Sequence, residues 1–452
     1  MKNLKTVTIA LAALTLSGCA SFSPDGGFAA VQTGVWDKTG KDTTWVRSEA
    51  DADSVQATVK TLLAQPLTAD DAVQIALLNN RGLQATYSEL GIAEADLVQA
   101  GRLHNPGFSI ERARSGADTQ ITRTFTFSFI NLLTLPLASK IEKRRFEQTK
   151  LVVANEVLRV AADTRMAYFH AVAAQQAVEY REQVKTAADA GADLAQRMAA
   201  TGNWSKLDQA REQVFYAEAT AQLAVAKRDA NAEREKLTRL MGLWGEGAQF
   251  QLAQRLPDLP ADLPMFNELE QFALQHRLDI QVAKNEAAGL ASSLGLTKAT
   301  RFVNVLDLGY SRSNGPGPAR ESAYEISLEL PLFDSGSART AKAEALYGQA
   351  LNRVAEVAIN ARSEVRVSYL AYRTAYELAR HYRDEVVPLR QQIAEENMLR
   401  YNGMLISVFE LLADAREQVS SVNATIEALK DFWLAQTQFE QALGGKLPSG
   451  HL

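Results

Sequence analysis

Thr124-Phe125-Thr126-Phe127-Ser128-Phe129 places phenylalanine at every second position with a hydroxyl between. Successive side chains of a strand point to opposite faces, so this run predicts a strand with one aromatic and one polar face. Tyr324-Glu325-Ile326-Ser327-Leu328-Glu329-Leu330 alternates likewise, setting Glu325, Ser327 and Glu329 opposite four apolar side chains. Leu306-Asp307-Leu308-Gly309-Tyr310-Ser311 is a third such run, and Phe108-Ser109-Ile110-Glu111 a shorter fourth. Turn-forming residues separate the members of each pair, Ser115-Gly116-Ala117-Asp118 in one and Ser313-Asn314-Gly315-Pro316-Gly317-Pro318 in the other. The four runs therefore read as two hairpins.

The hairpins occupy equivalent places in a duplicated chain. Ile75-Ala76-Leu77-Leu78-Asn79-Asn80-Arg81-Gly82-Leu83-Gln84 is echoed by Phe272-Ala273-Leu274-Gln275-His276-Arg277-Leu278-Asp279-Ile280-Gln281, an offset of 197 at Ala76 and Ala273. Leu240-Met241-Gly242 is echoed by Ala442-Leu443-Gly444, an offset of 202. A repeat this long is no solenoid unit but a duplicated half-structure. The boundaries follow: a first copy over residues 67–245, a connector over 246–264 stiffened by Pro257, Pro260 and Pro264, and a second copy over 265–446. Residues 19–66 precede the first copy as an N-terminal extension, and 447–452 form a short tail.

Around the hairpins the periodicity is helical. Residues 68–103 lack proline and open on Thr68 with Asp71 three residues on, a plausible helix start. Pro106 ends that pattern. Residues 138–200 predict a second helix on the order of 90 Å long. Gly202-Asn203 breaks it, and Ser205 can cap a third helix running to about 241. The second copy repeats the plan at 266–300, 336–401 and 406–443, with Gly403 as its break. Each copy is helix–hairpin–helix–helix. Helices of such length, rich in Ala, Leu and Val, point to coiled-coil-like packing rather than a globule.

Alternation alone does not separate a soluble sheet from a membrane barrel. Two features favour the barrel. No compact helical domain is left for such a sheet to cover, and carboxylates on the polar face suit a wet lumen. Four strands cannot close a barrel, since the smallest membrane barrels use about eight. An open edge in lipid would strand backbone groups at several kcal/mol each. Three chains would supply twelve strands and a closed wall.

The N-terminus carries Lys2 and Lys5 before a short apolar run, Val7 to Leu16, which reads as a signal sequence over residues 1–18. It ends in Leu16-Ser17-Gly18-Cys19, which resembles a bacterial lipobox, implying lipidation at Cys19. Ala20, in place of Asp, resembles the outer-membrane class of lipoproteins. Cys19 is the only cysteine, so no intrachain disulfide forms. The formal charge is −5, and −7 without residues 1–18, which argues against nucleic acid as a partner. No catalytic constellation stands out. His104, His170, His276, His381 and His451 are scattered, with no metal-ligand spacing and no phosphate loop. Neither a catalytic residue, a metal site nor a cofactor is expected.

At this point a resemblance becomes specific. The order helix–hairpin–helix–helix, twice, behind a lipobox, resembles the outer membrane factor family to which TolC belongs. Asn105-Pro106-Gly107-Phe108 resembles that family's approach to its first strand. Leu330-Pro331-Leu332-Phe333-Asp334-Ser335-Gly336 resembles its passage from last strand to long helix. Tyr401-Asn402-Gly403-Met404-Leu405-Ile406-Ser407-Val408-Phe409-Glu410-Leu411-Leu412 resembles its helix–turn–helix signature. In the first copy, Asn131-Leu132-Leu133-Thr134-Leu135-Pro136 replaces the usual glycine-containing turn, a variant similar to heavy-metal efflux members.

The resemblance implies a mainly α fold with a membrane β-barrel part: a trimeric twelve-stranded barrel continuing into an α-helical barrel. It implies an exit duct of a tripartite efflux system, lipid-anchored in the bacterial outer membrane and extending into the periplasm. Its partners would be two further copies of the chain, outer-membrane lipid, a periplasmic adaptor and an inner-membrane pump. Phe125, Phe127, Phe129, Ile326 and Leu328 would face lipid; Thr126, Ser128, Asp307, Glu325 and Glu329 would line the lumen. Asp208, Glu410 and Asp414 match the acids of the periplasmic gate by position after the turns, although a solvated helix face is the ordinary setting for each. Gly202, Trp204, Gly403 and Met404 would form the adaptor-contact tip. The rival reading is a lipid-anchored coiled-coil scaffold of the periplasm, which leaves the four strands without a role.

Overall fold

A computed structural model describes residues 20–116, 118–264, 268–302, 305–315 and 320–446. Cys19 lies outside the described residues. The chain divides into two compact units, one from Met1–Val31, Thr86–Ala154 and Leu278–Ile359, the other from Gln32–Ala85, Asn155–Arg277 and Asn360–Leu452. Each unit draws on both copies.

In the first unit, strands β1 (Gly107–Ser115), β2 (Asp118–Ser128), β3 (Leu306–Asn314) and β4 (Arg320–Leu328) form one antiparallel sheet in chain order. The hairpin of each copy thus pairs with the other across β2 and β3. Two strands end earlier than their alternation predicts. Phe129 is the first residue of a 72-residue helix, and Glu329 falls one position beyond β4. The expected turn at 131–136 is helical as well. No glycine interrupts the run after Ser128, and the Thr134 hydroxyl donates to the Ile130 carbonyl at 2.9 Å within the first turns. The second copy differs at the same place. Gly336, at φ 72°, packs on the Arg301 backbone, where an added Cβ would lie 2.7 Å from the carbonyl oxygen. Arg301 Nε donates to Ser335 O at 3.0 Å. A turn held this closely forces a break before the next helix.

The helices are α1 (Phe28–Thr39), α2 (Glu49–Leu63), α3 (Ala69–Asn79), α4 (Arg81–Ala100), α5 (Phe129–Ala200) and α6 (Lys206–Leu240) up to the connector. Beyond it come α7 (Leu269–His276), α8 (Leu278–Ala299), α9 (Ser337–His381), α10 (Val387–Asn402) and α11 (Val408–Leu443). No described helix is long and apolar enough to cross a membrane, which says nothing of a barrel. A π-helical turn, Tyr382–Val386, separates α9 from α10 where one helix is expected. Pro388 explains it: a proline has no N–H for the preceding turn, and its ring crowds the carbonyl there.

The first helix of each copy is also broken, at Asn80 and at Arg277, both extended. Each break abuts a left-handed glycine that ends a copy. Gly242 (φ 66°) sits against Asn79, whose amide donates to Met241 O at 3.1 Å and Gly242 O at 2.8 Å, while Asn80 donates to Leu240 O at 2.8 Å. Gly444 (φ 85°) sits against Arg277, which donates to Ala442 O at 3.2 Å. There the Lys38 ammonium, from α1, donates at 2.8 Å to both Gly444 O and His276 O. Unsatisfied helix-end carbonyls are thus met by neutral amides in one copy and by cations in the other.

The second unit holds the main apolar clusters. Ile75 and Leu78 of α3 pack with Ala167, Phe169 and Val172 of α5 and with Leu237. Tyr372 and Tyr376 of α9 pack with Phe432 and Phe439 of α11. The connector is part of this packing: Leu256 and Leu259 are buried, Trp433 Nε1 donates to Pro257 O at 3.0 Å, and the Tyr376 hydroxyl donates to Ala261 O at 2.5 Å.

Candidate functional site

Two places carry the predicted site residues: the sheet and the pair of helix turns.

In the sheet, register sorts the side chains by face. Phe125 pairs with Phe108 and Tyr310, Tyr310 with Tyr324, and Phe127 with Leu308, itself paired to Ile326. Leu306 and Leu328 close the row nearest the helices. Phe125, Phe127, Ile326 and Leu328 therefore share one apolar face, and Phe129 has left it for the helix. The rings touch, at 4.7 Å between Phe108 and Phe125 and 5.3 Å between Tyr310 and Tyr324. Thr126 pairs with Gly309 and Ser128 with Asp307 on the opposite face, where Gly309 also leaves room for Glu325. Charge follows the same division. The strand acids Glu111, Asp118, Asp307, Glu321 and Glu325 lie on the second face, and Arg112, Arg114, Arg123 and Arg312 on the first.

The turns after α5 and α10 are built alike. Asn203 N–H donates to Met198 O at 2.9 Å and Gly202 N–H to Ala199 O at 3.1 Å, the bond pair of a Schellman stop with Gly202 left-handed at φ 78°. Leu405 N–H donates to Arg400 O at 2.8 Å and Met404 N–H to Tyr401 O at 2.9 Å. The left-handed position is therefore Met404, at φ 58°, and not the neighbouring Gly403 at φ −81°. Met404 is 93% exposed, whereas Trp204 is half-buried.

The acids after each turn have local work. Ser205 accepts from the Asp208 N–H and donates to the Asp208 carboxylate at 2.7 Å, and Arg211 pairs with Asp208 at 3.2 Å. Ser407 and Glu410 form a reciprocal capping box, with Ser407 N–H donating to the Glu410 carboxylate at 2.9 Å. Asp414, half-buried on α11, has no hydrogen bond or ion pair among the described residues.

One pair escaped sequence reading. Glu212, one turn beyond Asp208, is buried and accepts from Arg416 of α11 at 2.6 Å. Gly191 of α5 faces it, where an added Cβ would lie in ordinary contact, 3.6 Å from Glu212 Oε2. Arg416 also lies 4.5 Å from the Phe215 ring centre. Nothing in the local sequence distinguishes Glu212 from the solvated acids around it. Among the described residues, no group of His, Cys, Asp and Glu could hold a metal ion.

Comparison with solved structures places this architecture. The chain is similar to the CmeC outer membrane channel of Campylobacter jejuni, with a TM-score of 0.71 at 16% identity over 94% of this chain and 93% of that one. It is similar to the outer membrane protein VceC of Vibrio cholerae, with a TM-score of 0.69 at 16% identity over 83% and 96%. The fold is that of an outer-membrane channel. In sequence, the chain is 26% identical over 283 residues to the cobalt-zinc-cadmium resistance protein CzcC of Cupriavidus metallidurans, 60% of this chain and 64% of that protein. The match spans less than two thirds of that relative's length. No family model matches the chain. The channel fold agrees with the family resemblance in the sequence, and with a mainly helical chain carrying a β-barrel part.

Proposed function

We propose that the chain is the outer-membrane exit duct of a tripartite efflux system, acting as a homotrimer with a periplasmic adaptor and an inner-membrane pump. The observation that carries this reading is the four-stranded sheet, apolar on one face and acidic on the other, in a chain of channel fold. A sheet ending in β1 and β4 exposes a row of backbone donors and acceptors on each edge. In lipid each unpaired group costs several kcal/mol, so the edges require strands from other copies. Three copies supply twelve. The apolar face then meets lipid, and Asp307 and Glu325 line a lumen favouring cations. Divalent metal ions are the cargo class that suits such a lumen and the name of the CzcC relative.

The turns at Gly202 and Met404 form the adaptor-contact tip, with Trp204 and Gly403 beside them. Asp208, Glu410 and Asp414 follow the turns and form acidic rings under three-fold symmetry. Asp414 is the acid of the three without a hydrogen bond or ion pair among the described residues. Acylation at Cys19 adds an anchor to the barrel.

The test is conductance of the purified protein in planar bilayers, with its mobility in detergent gels before and after heating. A heat-labile trimer giving cation-preferring conductance steps is expected, and neutralising Asp414 should weaken that preference more than neutralising Asp208. A monomer that leaves the membrane once Cys19 is replaced by Ser, and never conducts, would establish the scaffold reading instead.

A further inference from the structure

The arginines of the sheet are on the wrong face for a lumen. Arg123 of β2 and Arg312 of β3 are direct register partners, one row beyond the aromatic row of Phe125 and Tyr310. Arg112 and Arg114 of β1 continue on the same face toward the hairpin end. Two residues of strand advance about 7 Å, so the arginines begin one row beyond the aromatic row, interleaved with Ile110 and Ile121 of the same face. Like charges directly opposite across a strand pair repel and destabilise the sheet. No carboxylate shares that face to relieve them, because every strand acid is on the other. All four side chains are exposed. Among the described residues Arg114 donates only to Gly116 O, at 3.3 Å, and Arg112, Arg123 and Arg312 have no ion pair.

We propose that Arg112, Arg114, Arg123 and Arg312 form a belt that binds the phosphate groups of a phosphorylated glycolipid in the outer leaflet. This rests on the reading of the sheet as part of an outer-membrane barrel, whose hairpin end faces the cell exterior. A planar guanidinium matches phosphate oxygens in a two-pronged geometry, and an anion between Arg123 and Arg312 turns their repulsion into two attractions. The occupant is amphiphilic because the belt borders an apolar band: phosphate at the arginines, acyl chains along Phe125, Phe127 and Ile326. A soluble anion would leave that band unused.

The experiment uses the full-length protein in detergent. Native mass spectrometry measures retention of a diphosphorylated glucosamine lipid and of the same lipid after enzymatic dephosphorylation, with bilayer conductance recorded in parallel. The wild type should retain the phosphorylated lipid. Removing two charge-assisted contacts in R123Q/R312Q should weaken retention about tenfold. R112Q/R114Q should weaken it too, and a pair on the other face, E111Q/E321Q, should not. Conductance should persist throughout. Should R123Q/R312Q fail to assemble, R112Q/R114Q and the dephosphorylated lipid decide the matter. Equal retention of the two lipids, or displacement by inorganic phosphate alone at matching concentration, overturns the proposal. A wild-type protein that conducts without retaining the lipid loses the belt and keeps the duct; one that does neither loses both.

Discussion

The Glu212 carboxylate meets the Arg416 guanidinium at 2.6 Å, with 1% of the Glu212 side chain and 29% of the Arg416 side chain exposed, so two helices of the second unit are joined by an ion pair buried on its acidic side. The pair is incompletely satisfied, since Glu212 Oε2 and Arg416 Nε lack hydrogen-bond partners among the described residues. Such a pair costs desolvation that its attraction repays only in part.

Breaking it from one side should therefore be worse than removing it. Arg416→Met leaves a buried carboxylate without its partner and should cost about 1–3 kcal/mol, whereas Glu212→Leu with Arg416→Met should restore most of that loss. Denaturant unfolding of the three variants in micelles measures both. Simple addition of two separate losses would mean that the residues act independently.

Met404 holds a left-handed backbone that costs a non-glycine residue about 1–2 kcal/mol. Met404→Gly should relieve roughly 1 kcal/mol of this, slowing hydrogen exchange of the Leu405 amide about fivefold. Met404→Val should speed it. If the proposed tip contacts an adaptor through this side chain, Met404→Gly should also weaken adaptor capture while the tip itself becomes firmer.

Glu440 of α11 pairs with Arg165 at 3.0 Å, yet burial raises its carboxyl above the ordinary value of 4.5, more than Arg165 and Gln436 offset. A folded-state value above the unfolded one means that the folded chain holds the extra proton. The stability from this group is full below pH 4.5 and declines as pH rises through the folded value. Thermal midpoints of wild type and Glu440→Gln should diverge in favour of the glutamine as pH rises through that window. Parallel curves would assign the site no titration of consequence.

The two faces of the sheet can be separated chemically. Single cysteines replacing Phe125, Ile326, Thr126 and Glu325, in a Cys19→Ser background, should react differently with a charged thiol reagent in vesicles. Thr126→Cys and Glu325→Cys should label; Phe125→Cys and Ile326→Cys should be protected by lipid. Uniform labelling would remove the barrel assignment.

Much of this is legible in the sequence. Alternation at 124–128 and 324–328 located the strands because a strand period of two admits no other reading once turns flank it. Thr68 and Ser205 cap helices as their side chains allow. The misses have local causes. Phe129 continued an alternation that the following helix overrode. The long second-copy helix is interrupted because Pro388 has no N–H to give the preceding turn, a local effect that helical periodicity does not register. Gly403 marks the break in the sequence, while the hydrogen bonds put the left-handed residue one position later, at Met404. Asp208 and Glu410 were legible as acids after a turn, but their capping bonds depend on serines three residues back. Glu212 meets Arg416, far away in sequence, and no local pattern reports such a meeting.

The joint at Gly444 has a temporal consequence. Gly242 is stoppered by asparagines from its own copy, so the first half carries everything its closing joint needs. Gly444 lies 406 residues from the lysine that serves it. During synthesis, Lys38 emerges early and waits, its two carbonyl acceptors arriving only with His276 and then with the last helix. The head of the chain thus becomes a clasp fastened last, and a truncated product lacking α11 would keep the finished first joint and leave the clasp open.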